Sequence, residues 1–254
     1  MNDINILLLL PIAVIALVTV FLLIKHIRDM RISRSEEEFF EKMTAQYSEN
    51  GVDTDLADKL YEHLAGFRVT KQTKIMYNFY LRWLAIYHIM ICEYDKAMEL
   101  LDTELPRTTE KIIDETGSSW FLCEHYVYRL IAAARMGDLD ALEKYYSEAV
   151  DIFEEYLISE NNKSYLINEA MITREIAHGR YSEAEAMIRP MFSVENAVIN
   201  AAANTLMGRC AFGRGDTAGG NRYFDKAKAV TADSFKLECL EIKRSELIKK
   251  AKKR

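Results

Sequence analysis

The turn that is most informative about the fold has the sequence Arg214-Gly215-Asp216-Thr217-Ala218-Gly219-Gly220, with an amphipathic stretch on either side. Gly215 suits the first position because helices commonly end with one residue at positive φ, which glycine adopts without steric cost. Gly220, five residues later, is small enough to let a second helix approach the first closely. The segment therefore predicts two antiparallel helices joined by a tight turn.

Three earlier segments align with this turn. They centre on Cys92, Gly137 and Gly179, and the successive turns are 45, 42 and 36 residues apart. The residue five positions later is again small or of medium size, namely Ala97, Leu142 and Ala184. A hairpin of this size cannot bury its apolar face alone, so neighbouring hairpins are expected to stack.

The last unit resembles the tetratricopeptide-repeat family most closely. Gly208 stands at the small-residue position of its first helix, and Phe224 and Ala227 follow Gly220 at the family spacing. The preceding unit matches through Gly179, Tyr181 and Ala184 but has Ile172 at the small-residue position. The two earlier units match only in the turn and the second helix. Their matching residues are Tyr94 and Ala97 in one unit, and Gly137, Tyr146 and Ala149 in the other. The resemblance implies an all-α fold, an α-solenoid of TPR-like antiparallel helix hairpins at about 78–111, 123–156, 165–198 and 201–234. A closing helix at 235–250 is expected to cover the open end of the stack.

The N-terminal stretch predicts a membrane anchor. Residues 4–24 are almost entirely apolar, and 21 residues of helix match a hydrocarbon core about 30 Å thick. A cleaved signal peptide fits less well, because no basic region precedes the apolar core and no small-residue cleavage pattern follows it. The basic residues Lys25, Arg28, Arg31 and Arg34 follow the span and predict a cytoplasmic C-terminal domain with the N-terminus outside.

The predicted organisation has three parts. A single transmembrane helix at 4–24 is followed by a juxtamembrane basic segment and charged linker helix at 25–53, and then by the helical domain at 54–254. We expect a bacterial single-pass protein of the cell membrane.

Charge is distributed unevenly along the chain. Residues 243–254 carry a net +6 and residues 1–34 a net +2, whereas the whole chain carries −6. The body between these two ends is therefore acidic, which argues against a nucleic-acid partner. The basic C-terminal tail either stabilises a helix C-terminus or contacts anionic lipid.

Motifs with a catalytic or metal-binding mechanism are not found in the sequence. His88 and Cys92 lie four residues apart and Cys123 and His125 two apart, but zinc sites require four convergent ligands, so these residues are interpreted as packing residues. The stretch Gly213–Gly219 lacks the preceding strand that a phosphate loop requires. We therefore expect no enzyme activity, no metal and no cofactor.

The predicted functional site is a surface that binds protein or peptide partners. By resemblance, such proteins bind peptides on the concave face lined by the first helix of each hairpin, which here contains Arg82, Ile86, Ile89, Val127, Ile131, Arg135, Glu169, Thr173, Arg209 and Phe212. The expected function is that of a membrane-tethered scaffold or adaptor. Two alternatives stay open: a regulatory or chaperone-like subunit of an integral membrane complex, for which Pro11 within the span gives some support, and an uncharacterised enzyme.

Overall fold

The computed structural model describes residues 25, 31, 34–70, 73–102, 120–158 and 164–251. Every regular element in these ranges is helical, which confirms the all-α class. The chain divides into two compact units, one formed by Met1–Gly51 and Phe67–Met76 and the other by Val52–Gly66 and Tyr77–Arg254.

In the first unit, residues 34–50 are helical and include the predicted charged helix. Arg34 and Glu38 form an exposed ion pair of 3.4 Å one turn apart, and Gly51 ends the helix at φ 73°. Lys25, Arg31 and Arg34 are all exposed. The predicted span at 4–24 and Arg28 lie outside the described residues. None of the helices that the structure describes is long and apolar enough to cross a membrane.

The second unit contains the remaining helices. In chain order they are α1 (Thr54–Leu64), α2 (Lys74–Met90, which begins in the first unit), α3 (Tyr94–Asp102), α4 (Trp120–Met136), α5 (Leu139–Ile158), α6 (Ser164–Ala177), α7 (Tyr181–Ile188), a 3₁₀ helix (Arg189–Ser193), α8 (Ala197–Gly213), α9 (Thr217–Ala229) and α10 (Ser234–Ala251).

The four turns that were aligned in the sequence share one backbone geometry. Cys92, Gly137, Gly179 and Gly215 have φ of 65°, 84°, 74° and 83°. In each turn the next amide donates to the carbonyl five residues earlier, over 2.8 Å for Glu93 and 2.9–3.0 Å for the other three. This bond is the mark of a helix that ends through a left-handed residue. The turns join α2 to α3, α4 to α5, α6 to α7 and α8 to α9.

Cys92 is the exception in this set, because a side chain at positive φ costs about 1 kcal/mol that glycine avoids. We expect Cys92→Gly to be more stable than Cys92→Ala by about 1 kcal/mol, since both remove the thiol and only alanine keeps the strain. Gly137→Ala tests the same strain in the opposite direction, by adding a side chain at positive φ. A Cβ at this position meets nothing within 4 Å, so the expected loss of about 1 kcal/mol in the free energy of unfolding comes from backbone conformation alone. Urea unfolding of the three variants measures both differences. Equal stability of the two Cys92 variants would contradict the assignment of strain.

Successive hairpins pack in chain order. Helix α3 packs on α4, α4 on α6 and α6 on α8, while α5, α7 and α9 pack on the first helix of their own hairpin. Buried side chains of α2 to α6 form one apolar cluster, and those of α6 to α8 form the next. The contact between α8 and α9 is especially close, because a Cβ on Gly208 would lie 2.8 Å from the Phe224 ring and one on Gly220 would lie 2.6 Å from the Phe212 ring.

Helix α10 contacts more of the molecule than the sequence predicts, because a helix that covers the end of the stack would contact only the last hairpin. It packs on α8 and α9, but its side chains also reach the first two hairpins. Phe235 stacks on Tyr87 with ring centroids 5.8 Å apart, and Tyr94 donates a 3.0 Å hydrogen bond to Glu246. Lys250 Nζ donates to the Arg135 carbonyl over 2.9 Å. Helix α10 therefore links the last hairpin to the first ones.

Candidate binding cleft

A cleft of about 510 Å³ lies between α10 and the first helices of the hairpins. It is lined by α2, α4, α6, α8, the connection between α9 and α10, and α10 itself; most of the surface is apolar, as with Ile86, Ile131, Leu166, Val198, Ala201 and Leu240. We call it the central cleft. Its volume falls in the range of sites that hold small molecules or short segments of chain, about 300–1,000 Å³.

The rim of the central cleft is formed in part by the first turn of α8. Asn196 caps this helix, and its side-chain oxygen accepts from the amides of Val198 and Ile199 over 2.8 and 3.2 Å. Val198 is 62% exposed, and Val230 on the α9–α10 connection is 42% exposed. Apolar side chains thus face solvent at the entrance.

A smaller cavity of about 100 Å³ adjoins the central cleft, and Arg135, Glu169 and Lys243 line both. We call it the polar end. Its charged side chains come from four helices: Arg135, Glu169, Arg209, Lys243, Glu246 and Lys250. Four of these six side chains are cationic.

The two carboxylates at the polar end have partners. Glu169 lies 3.6 Å from Arg135 Nη2, and Glu246 lies 2.7 Å from Lys250 Nζ and accepts from Tyr94. Burial alone would raise the pKa of Glu246, but the hydrogen bond and charge of Lys250 lower it. The Glu246 carboxylate is therefore held as an anion mainly by Lys250.

The other two cations, Arg209 and Lys243, have no carboxylate as a close partner in the part of the chain that the structure describes. Within the described ranges, neither Arg209 nor Lys243 forms an ion pair. Burial lowers the pKa of Lys243 to about 8 and that of Arg209 to about 10, and the charge of Arg135 adds to both effects. Arg209 Nη1 and Arg135 Nε are buried and have no hydrogen-bond partner among the residues described.

The residues that the sequence predicted for partner binding fall into two groups. Ile86, Ile89, Ile131, Arg135 and Glu169 line the central cleft, and Arg209 lines the polar end. The remaining four are buried and line neither cavity: Arg82, Val127, Thr173 and Phe212.

Arg82 is bonded within the helical packing rather than presented to a partner. Its guanidinium donates to Asn78 Oδ1 over 2.7 Å, to Glu124 Oε2 over 2.9 Å and to the Phe121 carbonyl over 2.6 Å. These contacts join α2 to the first turn of α4.

Sequence reasoning did not assign Lys243, Glu246 and Lys250 to the site. The sequence predicts a basic tail for these residues and a closing helix that covers the end of the stack. The available signal was Glu246 within an otherwise basic segment, four residues before Lys250. An isolated carboxylate at that spacing indicates a helical pair with a defined face.

His88 and His125, considered in the sequence as metal ligands, have other environments. His88 is hydrogen-bonded to Tyr61 and, over 2.8 Å, to Glu93. His125 is 2% exposed, and burial lowers its pKa to about 3, with the charges of Arg129 and Arg82 adding to the effect. Across the part of the chain that the structure describes, no three His, Cys, Asp or Glu residues are grouped so that they could hold a metal ion.

Comparisons with protein-family models, curated proteins and solved structures found no match to this chain.

Proposed function

We propose that this chain is a membrane-tethered adaptor that binds a segment of a protein partner in the central cleft. In this proposal residues 4–24 anchor the chain, and the TPR-like hairpins form a cytoplasmic α-solenoid. The observation that carries the proposal is the central cleft itself, with apolar side chains from four hairpins and exposed apolar side chains at its rim. Exposed apolar surface of this kind often marks a site of protein interaction.

The tether adds to what the cleft can achieve. A partner near the same membrane meets the cleft at a raised effective concentration, so a modest affinity is sufficient for recruitment. The exposed basic side chains Lys25, Arg31 and Arg34 suit the cytoplasmic side of an anionic membrane.

Val198→Asp tests the proposal. Val198 is exposed and lies in the first turn of α8, where an acidic residue is favourable to the helix, so the fold is expected to be retained. A charge at the rim should oppose burial of an apolar partner and lower its recovery about tenfold or more. The measurement is quantitative mass spectrometry of proteins purified with the full-length chain from mild-detergent membranes.

Leu139→Asp is the matched control. Leu139 is also an exposed apolar residue, at 41%, in the first turn of a helix, but it does not line the central cleft. The control should recover partners as the wild type does. Equal recovery by the Val198 variant would contradict the cleft as the site.

Residues 35–254, purified in parallel, separate the adaptor from the alternative of a subunit within an integral complex. Partners bound by both forms support recognition by the hairpin domain. Partners bound by the full-length chain alone would place recognition in the N-terminal segment.

A further inference from the structure

The polar end of the central cleft contains two cations in excess of its carboxylates. Arg135 and Lys250 pair with Glu169 and Glu246, whereas Arg209 and Lys243 form no ion pair among the described residues. The carboxylates act on them only as more distant charges, Glu246 and Glu169 on Arg209 and Glu169 on Lys243. Cations in a desolvated site are costly without a close partner, so proteins normally pair them or bind an anion beside them.

The side chains around the polar end narrow what can bind. The Arg135 side chain is 8% exposed, and its Nη atoms contact Glu169 and the Ile89 carbonyl. Arg209 lines the same small cavity as Lys243. A guanidinium beside an ammonium favours an acceptor with several oxygens.

We propose that the polar end binds one phosphate group, held by Arg209 and Lys243 next to the ion pair of Arg135 with Glu169. The charge of a phosphate near neutral pH, about −1.5 to −2, offsets the two cations that form no ion pair. Its several oxygens can accept from the Arg209 guanidinium and the Lys243 ammonium at once, whereas a halide ion offers no such directional acceptors. A cavity of about 100 Å³ accommodates one such group.

Two sources of this phosphate are compatible with the geometry. One is free inorganic phosphate, which would fill the polar end alone. The other is a phosphate headgroup that carries an apolar chain, because the polar end adjoins the apolar central cleft through shared lining residues. This site goes beyond the proposed adaptor function, which needs the apolar cleft and its rim but not the phosphate.

Calorimetric titration of the full-length chain in mild detergent, at fixed ionic strength set with chloride, tests the site. Inorganic phosphate and n-hexyl phosphate are the two probes, and hexanol is the control for binding of the hexyl group without a phosphate. We expect phosphate to bind to the wild type, and Lys243→Gln and Arg209→Gln each to weaken it about tenfold or more through loss of a charge-assisted hydrogen bond. Lys226→Gln, at an exposed lysine of α9 outside the cavity, should bind as the wild type does.

The outcomes separate the sources and test the site. Binding of hexyl phosphate about tenfold tighter than phosphate would assign a headgroup with an apolar chain, and equal binding would assign free phosphate. The site is refuted if neither probe binds, or if the Lys243 and Arg209 variants bind as the wild type does. Thermal unfolding in phosphate-free buffer checks the fold. Lys243→Gln removes a desolvated charge that forms no ion pair among the described residues and should melt no lower than the wild type, so this variant keeps the test valid should Arg209→Gln fail to fold. Failure of the phosphate site leaves the Val198 experiment unaffected.

Discussion

Replacing Arg82 with alanine is expected to lower the free energy of unfolding by about 3–5 kcal/mol, because it removes one partner of the largely buried ion pair between Arg82 and Glu124. Arg82 is 2% exposed, and its guanidinium lies 4.9 Å from the Phe121 ring centroid in addition to its three hydrogen bonds. Without it, the fully buried amide of Asn78 and the largely buried carboxylate of Glu124 each lose the hydrogen bond that Arg82 donates to them. Urea unfolding monitored by circular dichroism measures the loss.

Lys228→Ala is the control for this prediction. Lys228 pairs with Glu241 over 2.5 Å, but the two side chains are 37% and 46% exposed, so the expected loss is about 1 kcal/mol or less. If the Arg82→Ala variant were as stable as the control yet no longer bound the protein partners of the wild type, Arg82 would be a recognition residue, as the sequence predicted. A large loss of stability would instead make it a packing residue that joins α2 to α4.

The difference between these two roles explains why sequence analysis assigned Arg82 to the partner surface. Its position on the first helix of a hairpin was predicted from the turn pattern, and that pattern depends only on local backbone preferences around Cys92 and Gly137. Its burial depends on Glu124, 42 residues away, and on Phe121. No periodicity in one helix indicates which distant carboxylate will meet it.

The candidate site shows the same limit. Five residues of α2, α4 and α6 that line the central cleft were predicted, because by resemblance the first helices of the hairpins form the binding face. Lys243 and Glu246 were not, because their place depends on how α10 packs across several hairpins, through contacts such as Phe235 with Tyr87. Sequence alone predicted a basic amphipathic end to the chain but not the partner of that face within the molecule.

Replacing Phe224 with alanine is expected to lower the free energy of unfolding by about 3–5 kcal/mol, since a fully buried ring is lost and its cavity has little room to collapse. The ring fills the space that the absence of a side chain at Gly208 leaves, and it packs edge-on against Phe212 with centroids 6.0 Å apart. Leu240 of α10 belongs to the same apolar cluster, so the ring also supports the helix that supplies Lys243 and Glu246 to the polar end. Urea unfolding provides the measurement, as for Arg82.

Arg222→Ala, at an exposed position two residues earlier on α9, is the matched control and should change stability by about 0.5 kcal/mol or less. A loss below about 1 kcal/mol for Phe224→Ala would mean that α8 and α9 can close over the vacated space. The close approach that Gly208 and Gly220 permit argues against this, because a Cβ on Gly208 would lie only 3.3 Å from the Gly220 carbonyl oxygen, so the two backbones are already close together. A further approach would have to displace Phe212, which is itself 3% exposed in the same cluster.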